Sequence, residues 1–254
     1  MNERPDALPS SFRDPAGYVF RQDHIYYRLI AEAGKVSYDS LMNSGLYDTL
    51  TQKKLLLPHK EMPATFQGPA GYKIIQPEQL SFITYHWEWP FSLLQDAALL
   101  TLETAKLALD HGLVLKDATP YNIQWHNGVL TFIDTLSFEP YKEGQPWIAY
   151  RQFCESFLSP LLLMHYRKHS FHSLQLAWPD GIPLQITRSL LPWKSRFSIL
   201  TWMHIHLHSR YAAKPAGQKD KTAVVSPTKF RQLLSSLEML IRSLKLEDKG
   251  TTWG

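Results

Sequence analysis

Three oxygen-bearing side chains in the middle of the chain have the order and spacing of a catalytic and metal-binding set. Asp117 is followed five positions later by Asn122, and Asp134 comes twelve positions after that. Carboxylate and amide oxygens suit Mg²⁺, which takes a few protein ligands together with waters and substrate phosphates. In phosphoryl transfer, one Asp accepts the proton of the attacking hydroxyl, while an Asn and a second Asp hold the metal. The pattern therefore favours Asp117 as a catalytic residue and Asn122 and Asp134 as magnesium ligands.

A predicted helix and a predicted hairpin would position these side chains. Residues 123–133 contain two β-favouring runs, and His126-Asn127-Gly128 between them is a turn signal. Such a hairpin returns the chain, so we expect Asp134 to line one cleft with the other two side chains. Residues 92–111 carry apolar side chains at helical spacing and predict the helix that leads into this region. The alternative interpretation is a polar turn, a hairpin and a capping Asp with no catalytic role.

With these elements in this order, the chain resembles the protein-kinase-like fold, and within it the aminoglycoside-type phosphotransferases that act on small molecules. The segment Asp117-Ala-Thr-Pro-Tyr-Asn122 is similar to the catalytic loop, and Phe132-Ile133-Asp134 to the start of the metal-binding motif. The sequence departs from the family at Leu115, where His or Tyr is usual, at Lys116, and at Thr135-Leu136, which replace Phe-Gly. The resemblance implies an α+β, bilobal fold with a reduced N-terminal β lobe and a mainly helical C-terminal lobe.

Candidate contacts to the ATP phosphates lie in the first part of the chain, which contains several β-favouring runs. The first two runs predict a hairpin that would cover the nucleotide in the resembled fold. Gly17 would let the backbone approach a phosphate. Arg28 would replace the phosphate-contacting Lys of the family, and a solvent-facing strand Arg is the alternative interpretation. The runs are residues 17–21, 25–29, 72–75 and 80–85.

Candidate contacts to the adenine base follow the last of these runs. Trp87 and Glu88 fall where the two lobes of the resembled fold are connected and where backbone groups bind adenine. The Trp87 ring could form one wall of a purine pocket. The alternative for this ring is packing in the protein interior, as is usual for aromatic side chains.

Composition restricts the class of protein. The chain has 254 residues, of which 44% are hydrophobic and 20% charged, as in an ordinary globular protein of one bilobal domain. The net charge of +4 comes without a dense basic stripe, so no nucleic-acid partner is expected. Cys154 is the single cysteine, which favours a reducing compartment. No apolar run of about 18 residues and no signal-peptide core is present, so we predict a cytoplasmic protein without a membrane span.

The predicted organisation has four parts. Residues 1–16 are interpreted as a flexible lead-in and residues 17–89 as the small N-terminal lobe. Residues 90–246 are interpreted as the helical C-terminal lobe, which contains the catalytic-type loop and hairpin at 115–139. Residues 247–254 are interpreted as an interdomain joint, because Gly- and Thr-containing sequence follows an amphipathic helix there.

Longer matches indicate a narrower resemblance, to a bacterial, nodulation-protein-like family. Its members carry this domain ahead of a class I S-adenosylmethionine-dependent methyltransferase domain, and the resemblance covers most of residues 14–253. This chain contains no methyltransferase glycine motif, so the resemblance implies a methyltransferase domain downstream of it. The matching stretches are Glu88-Trp-Pro-Phe-Ser92, Asp96-Ala-Ala-Leu-Leu100, Lys116-Asp-Ala118 and Phe132-Ile-Asp-Thr-Leu-Ser-Phe-Glu139.

Two functional hypotheses follow. In the first, the chain is an ATP- and magnesium-dependent phosphotransferase that acts on a hydroxyl of a small molecule or glycan. In the second, it is a pseudokinase, a nucleotide- or ligand-binding module that positions a linked methyltransferase or its acceptor. Asp117, Asn122 and Asp134 favour the first hypothesis. The missing glycine-rich loop and the uncertain phosphate-contacting residue favour the second.

Overall fold

The computed structural model describes residues 14–207 and 226–246, and its mixture of helices and strands confirms the α+β class. Most of the predicted lead-in and the whole predicted joint at 247–254 lie outside the described residues. The chain divides into two compact units. Unit 1 comprises residues 14–83, Leu107–Lys116 and Gln124–Tyr141; unit 2 comprises Thr84–Lys106, Asp117–Ile123 and the described residues after Tyr141.

Two segments of unit 1, Leu107–Lys116 and Gln124–Tyr141, fall within the range 90–246 that was predicted for the C-terminal lobe. The predicted lobe boundaries stay a prediction. The kinase-like, bilobal architecture also stays a prediction.

An antiparallel sheet of four strands forms the body of unit 1. A two-residue turn joins its first two strands, and both turn residues, Asp23 and His24, have positive φ angles of 49° and 67°. The order across the sheet is β1-β2-β4-β3. The strands are β1 (Gly17–Gln22), β2 (Ile25–Ile30), β3 (His59–Glu61) and β4 (Lys73–Pro77).

The two faces of this sheet carry different apolar clusters, because successive side chains of a strand point to opposite faces. Tyr18 and Phe20 of β1 pack with Tyr27 and Leu29 of β2 on one face. On the other face, Ile30 and Ile75 pack with the fully buried Tyr38 of helix α1 (Lys35–Asn43) and with Leu136. Helix α2 (Leu46–Gln52) follows α1. The second cluster holds the segment after Asp134 against the sheet.

Four further strands complete the β-structure of the described residues. The hairpin predicted at 123–133 is confirmed, and Asn127 and Gly128 of its turn have φ angles of 48° and 83°. Main-chain hydrogen bonds join Phe132 of this hairpin to Leu55 and Leu57, so the hairpin lies against the segment that follows α2. The strands pair as β5 (Leu113–Leu115) with β8 (Phe138–Pro140), and β6 (Ile123–His126) with β7 (Val129–Phe132).

The prediction of a strand at 80–85 was wrong. This segment has no strand, and Phe82 and Ile83 expose 55% and 54% of their surface. Strand β4 already has β2 on one side and β3 on the other, so no edge beside it remains for another strand. Residues 59–61, which lie outside the predicted β-favouring runs, supply β3 instead.

Helices dominate unit 2. In α3 (Phe91–Asp110), Gln95 donates hydrogen bonds of 2.7 and 3.0 Å to the carbonyls of Ile241 and Leu244, at the end of α9 (Pro227–Ser243). Lys106 of α3 pairs with Glu238 of α9. No helix among residues 14–207 and 226–246 has the length and apolarity to cross a membrane. The helices are α3 (Phe91–Asp110), α4 (Tyr150–Phe153), α5 (Ser159–Arg167), α6 (His172–Ala177), α7 (Leu184–Leu190), α8 (Ile199–Thr201) and α9 (Pro227–Ser243), with π-helical turns at Cys154–Leu158 and Trp202–Leu207.

His59 of β3 lies in a buried polar network of unit 1. The hydroxyl of Tyr38 donates to Glu61 at 2.8 Å and therefore accepts from Nε2 of His59, at 2.9 Å. Tyr47 Oη contacts both the amide and the carbonyl of His59. Burial lowers the pKa of His59 to about 4; Glu61 opposes this shift and Lys73 adds to it. His59 is therefore neutral in the folded protein at neutral pH.

Acidification should destabilise the protein through His59. Between pH 6.5 and about 4, the unfolded chain binds a proton at this position and the folded chain does not, so the free energy of unfolding falls as pH falls. The loss amounts to about 3 kcal/mol for a shift of this size. Urea denaturation from pH 7 to pH 4 should show a shallower loss in His59→Gln than in the wild type. His169→Gln, at an exposed position, is the control; parallel curves for His59→Gln and wild type would contradict the assignment.

Candidate functional site

An ion pair between Arg28 and Asp134 brings together two of the predicted site residues in unit 1. Arg28 Nη1 lies 2.8 Å from Asp134 Oδ1, and the two side chains expose only 14% and 15% of their surface. The predicted phosphate-contacting residue thus touches the predicted metal-binding residue. A positive and a negative group held together and largely shielded from water interact more strongly than a pair at the surface.

The sheet and the apolar cluster beneath it position the two partners. Arg28 lies in β2 and pairs with Val19 of β1 and Ile75 of β4, which fixes its backbone on both sides. Leu136 is buried in the cluster and anchors the chain two residues after Asp134. The Leu136 amide donates to Asp134 Oδ1 at 3.0 Å, which holds the carboxylate in a turn.

Asp14 adds a second carboxylate to Arg28. Its Oδ2 lies 3.2 Å from Arg28 Nη2, and its Oδ1 accepts the Ala16 amide at 2.9 Å. Gly17, the predicted phosphate contact, donates its amide to the Asp14 carbonyl at 3.3 Å. A Cβ at Gly17 would lie 2.1 Å from the Leu29 carbonyl oxygen, so tight packing against β2 by itself requires glycine here. A phosphate contact at Gly17 stays a prediction.

The carboxylate of Asp134 is largely occupied by donors. Oδ1 accepts from Arg28 and from the Leu136 amide, and Oδ2 accepts from Ser137 Oγ at 2.6 Å. A carboxylate has about four lone-pair positions, so the contacts of the described residues leave one position, on Oδ2. Asp134 therefore has the donor chemistry for one magnesium contact at Oδ2, or for a second at Oδ1 where an ion replaces Arg28, and the magnesium site stays a prediction. Arg28 Nε is buried and has no hydrogen-bond partner among the described residues, so the guanidinium group retains a donor.

The catalytic-type loop in unit 2 is a short, fixed turn. Thr119 Oγ1 accepts the Tyr121 amide at 3.1 Å, and the Thr119 carbonyl accepts the Asn122 amide at 3.2 Å. The buried Pro120 starts a 3₁₀ turn over Pro120–Asn122. Gln152 of α4 accepts the Ala118 amide at 2.7 Å and so holds the chain next to Asp117. Strand β6 begins directly after Asn122. Both predicted functional residues of the loop thus sit on a backbone with defined hydrogen bonds.

An aromatic cluster joins this loop to the predicted base contact. Tyr121 packs edge to face against His86 at 5.1 Å and against Trp87 at 6.1 Å, between ring centroids. Tyr85 stacks on Trp87 at 4.7 Å with the ring planes 3° apart. The Trp87 ring is therefore half-buried by its own neighbours, and one of its faces is covered.

Burial sets the charge state of this cluster. Burial lowers the pKa of His86 to about 4, with Asp180 opposing the shift, so the ring is neutral at neutral pH. Burial, with a smaller contribution from Asp180, raises the pKa of Tyr121. The Glu88 side chain accepts the Tyr85 amide at 2.8 Å and caps the 3₁₀ turn at His86–Glu88. Neutral rings and a capped turn suit an uncharged heterocycle; a nucleotide contact at Trp87 or Glu88 stays a prediction.

The predicted site residues thus form two groups. Gly17, Arg28 and Asp134 lie together in unit 1, whereas Trp87, Glu88, Asp117 and Asn122 belong to unit 2, where Tyr121 links the loop to Trp87. In the part of the chain that the structure describes, no group of three or more His, Cys, Asp or Glu side chains could hold a metal ion. The proposed magnesium site instead includes an Asn, and it stays a prediction.

Three positioning residues were missed by the sequence analysis. Asp14 starts an Asp-Pro-Ala-Gly turn, and Ser137 follows Asp134 by three positions, a spacing typical of Asp-headed turns. Both signals were available in the sequence. Gln152 is 30 positions from Asn122 and carries no local signal for its contact with the loop.

Comparison with known proteins gives a clear relative. The chain is 33% identical over 261 residues to nodulation protein NoeA of Rhizobium meliloti (strain 1021), across 98% of this chain and 54% of that protein. The chain therefore spans about half the length of this curated relative, and the likeness supports the nodulation-protein-like part of the predicted resemblance. No protein-family model matches the chain.

Among solved structures, vaccinia related kinase 3 matches 97% of this chain and 82% of its own chain. The sequence identity is 15% and the TM-score is 0.37, and a likeness of this size establishes neither a fold nor an activity.

The Arg28–Asp134 pair should contribute measurably to stability. Arg28→Gln leaves a partly buried carboxylate without its cation and should lower the free energy of unfolding by about 2–3 kcal/mol. Asp134→Asn in the same background should recover part of that loss, because the uncompensated charge is removed. Urea denaturation of the two single variants and the double variant gives the coupling energy. Arg151→Gln, whose side chain is 60% exposed and pairs with Glu155, is the control and should cost less than about 1 kcal/mol. Additive effects at positions 28 and 134 would contradict the coupling.

Proposed function

We propose that the chain is a kinase-like phosphotransferase that moves the γ-phosphate of ATP to a hydroxyl of a small molecule or glycan, with magnesium. The observation that carries the proposal is the contact between Arg28 and Asp134, 2.8 Å apart and largely shielded from water. A cationic side chain for phosphate and a carboxylate for metal are the two groups that a nucleoside triphosphate with its magnesium requires. We also propose the kinase-like, bilobal fold, because helix α3, the loop at Asp117–Asn122 and the β6–β7 hairpin follow one another in the order of that fold.

The proposed roles follow from the chemistry of each side chain. Asp117 accepts the proton of the attacking hydroxyl and orients it. Asn122 and Asp134, which flank the β6–β7 hairpin in sequence, hold magnesium; when bound, the ion neutralises charge on the transferred phosphoryl group. Arg28 contacts phosphate through its fork of N–H donors. Gly17, whose amide donates to the Asp14 carbonyl, contacts a phosphate, and Trp87 and Glu88 contact the base.

A second function is favoured by a specific observation. Asp134 already accepts hydrogen bonds from Arg28, Leu136 and Ser137, and Asp14 also holds Arg28. In a pseudokinase these contacts are permanent, and the module binds a nucleotide or another ligand without transferring phosphate. The chain corresponds to about half of a longer relative. In this second function, the module positions a linked methyltransferase domain or its acceptor.

Binding of ATP should separate the metal ligand from its neighbours. Asp134→Asn should weaken magnesium-dependent ATP binding by about tenfold or more, because a formal charge facing the cation is lost. Asp14→Asn is the matched control: it removes the other carboxylate on Arg28 but no proposed metal ligand, so magnesium dependence should persist. Calorimetry measures the affinity of each variant for ATP, once with magnesium and once with EDTA. Equal magnesium dependence in Asp134→Asn and wild type, or a wild type that never binds ATP, would overturn the metal assignment.

Turnover should separate the phosphotransferase from the pseudokinase. Asp117→Asn should reduce phosphate transfer by about 10²–10⁴-fold, because no base remains for the hydroxyl proton, while ATP binding stays within about twofold of wild type. Asp96→Asn, at an exposed position in α3, is the control and should transfer phosphate normally. The assays are release of ADP with a panel of hydroxyl acceptors and calorimetry with ATP. A wild type that binds ATP but releases no ADP with any acceptor would contradict the phosphotransferase and support the pseudokinase.

A further inference from the structure

Six exposed side chains within ten residues of unit 2 form an unusual surface, which we call the 193–202 surface. Its apolar members are large, and three of them leave about three-quarters of their area in water: Trp193 is 73% exposed, Phe197 74% and Ile199 81%. Trp202 is 41% exposed. Exposed apolar side chains are normal singly, but several large ones close together mark an interaction site, and four lie within these ten residues. The six residues are Trp193, Lys194, Arg196, Phe197, Ile199 and Trp202.

The backbone of this surface is fixed, so the exposure does not come from a loose segment. Ser195 is fully buried and its hydroxyl contacts Nε2 of the buried His206 at 2.9 Å. Ser198 caps the next turn by accepting the Thr201 amide at 3.3 Å, and Thr201 is fully buried. Trp193 and Phe197 pack edge to face, with their ring centroids 5.2 Å apart. Polar, buried residues thus anchor the turns while the large apolar side chains point outward.

The charged residues of the segment that carries these side chains have one sign. Residues 181–207 contain no Asp or Glu, and their charged residues are Arg188, Lys194 and Arg196. Helix α9, which packs against α8, continues the pattern: Lys229 and Arg231 are exposed, and its first acidic residue is Glu238. A partner for this surface therefore has negative charge and accepts protruding aromatic rings.

We infer that the 193–202 surface binds the headgroup region of a bilayer that carries anionic lipids. Trp and other aromatic rings favour this region because an apolar ring and a polar edge are both accommodated there. Lys and Arg beside them are attracted to anionic headgroups. The binding is peripheral: the side chains enter the boundary between headgroups and acyl chains, and the turns that carry them lie on the membrane. This inference does not depend on the proposed phosphotransferase activity.

The extent of protrusion favours a lipid surface over a folded protein. The rings that contribute most to protein interfaces are packed into preformed pockets with little water around them. Trp193, Phe197 and Ile199 stand out from short turns, and a fluid interface adapts to such a shape without a complementary pocket. Membrane-surface binding requires apolar area and basic charge together, and this surface has both.

Vesicle flotation with the full chain tests the inference. Wild type should bind vesicles of equal parts phosphatidylcholine and phosphatidylglycerol, and binding should weaken strongly at about 0.5 M salt because screening reduces the attraction of the basic residues. The double variant Lys194→Gln/Arg196→Gln should bind about 25-fold more weakly, at about fivefold for each basic residue. The double variant Trp193→Ala/Phe197→Ala should bind at least about tenfold more weakly, because its apolar anchors are lost.

Matched substitutions at other exposed apolar positions control for a general effect. Ile148→Ala and Met239→Ala remove side chains that are 68% and 65% exposed, and both should bind like wild type. Thermal melting of all variants should match wild type, since the substituted side chains lie in solvent. Equal binding of the Trp193→Ala/Phe197→Ala variant, or of pure phosphatidylcholine vesicles, overturns the inference. A wild type that does not bind the vesicles also overturns the inference. If that wild type forms a dimer and the Trp193→Ala/Phe197→Ala variant does not, the surface binds a second copy of the chain.

Discussion

The arrangement of unit 1 depends on how two opposite charges are kept largely out of water. Arg28 and Asp134 are 2.8 Å apart and each is about 85% buried, so the carboxylate of Asp134 depends on this cation, whereas Arg28 has Asp14 as a second anion. Strand pairing on both sides of Arg28 and the burial of Leu136 beyond Asp134 hold the partners in place. The apolar core and the ion pair therefore support each other. A change in the core near Leu136 would alter the position of a charged side chain, not only the packing.

The second group of candidate residues is fixed by different means. Asp117 and Asn122 lie on a loop that has no strand or long helix of its own, so its backbone amides need other partners. A side-chain oxygen of Gln152, the Thr119 hydroxyl and a 3₁₀ turn at Pro120 satisfy them. Hydrogen bonds to the backbone give such a loop the rigidity that catalytic positioning requires. The same turn presents Tyr121 to the aromatic cluster around Trp87.

The sequence predicted local features well and long-range partners poorly. The α3 helix, the first hairpin and the 123–133 hairpin follow from apolar periodicity and from turn residues that tolerate positive φ, which are properties of adjacent residues. Strand β3 and the absence of a strand at 80–85 depend on which edge of the sheet is free, and no local pattern records this. The ion pair of Arg28 spans 106 positions to Asp134, so the sequence indicated both charges as candidates but not their contact.

The ion pair also bears on how a nucleotide and its metal would bind. In the proposed phosphotransferase, an ATP phosphate would bind the guanidinium group of Arg28, and magnesium would bind the carboxylate of Asp134. Each charged group exchanges one partner of opposite charge for another, so neither is left unpaired. If ATP bound Arg28 without magnesium, Asp134 would lose its cation. If magnesium bound Asp134 without ATP, Arg28 would keep only Asp14 as its anion. The nucleotide and the metal are therefore expected to favour each other's binding. Where the Arg28–Asp134 contact is permanent, as in the pseudokinase, this contribution to the coupling is absent, although magnesium still binds the phosphates of ATP themselves.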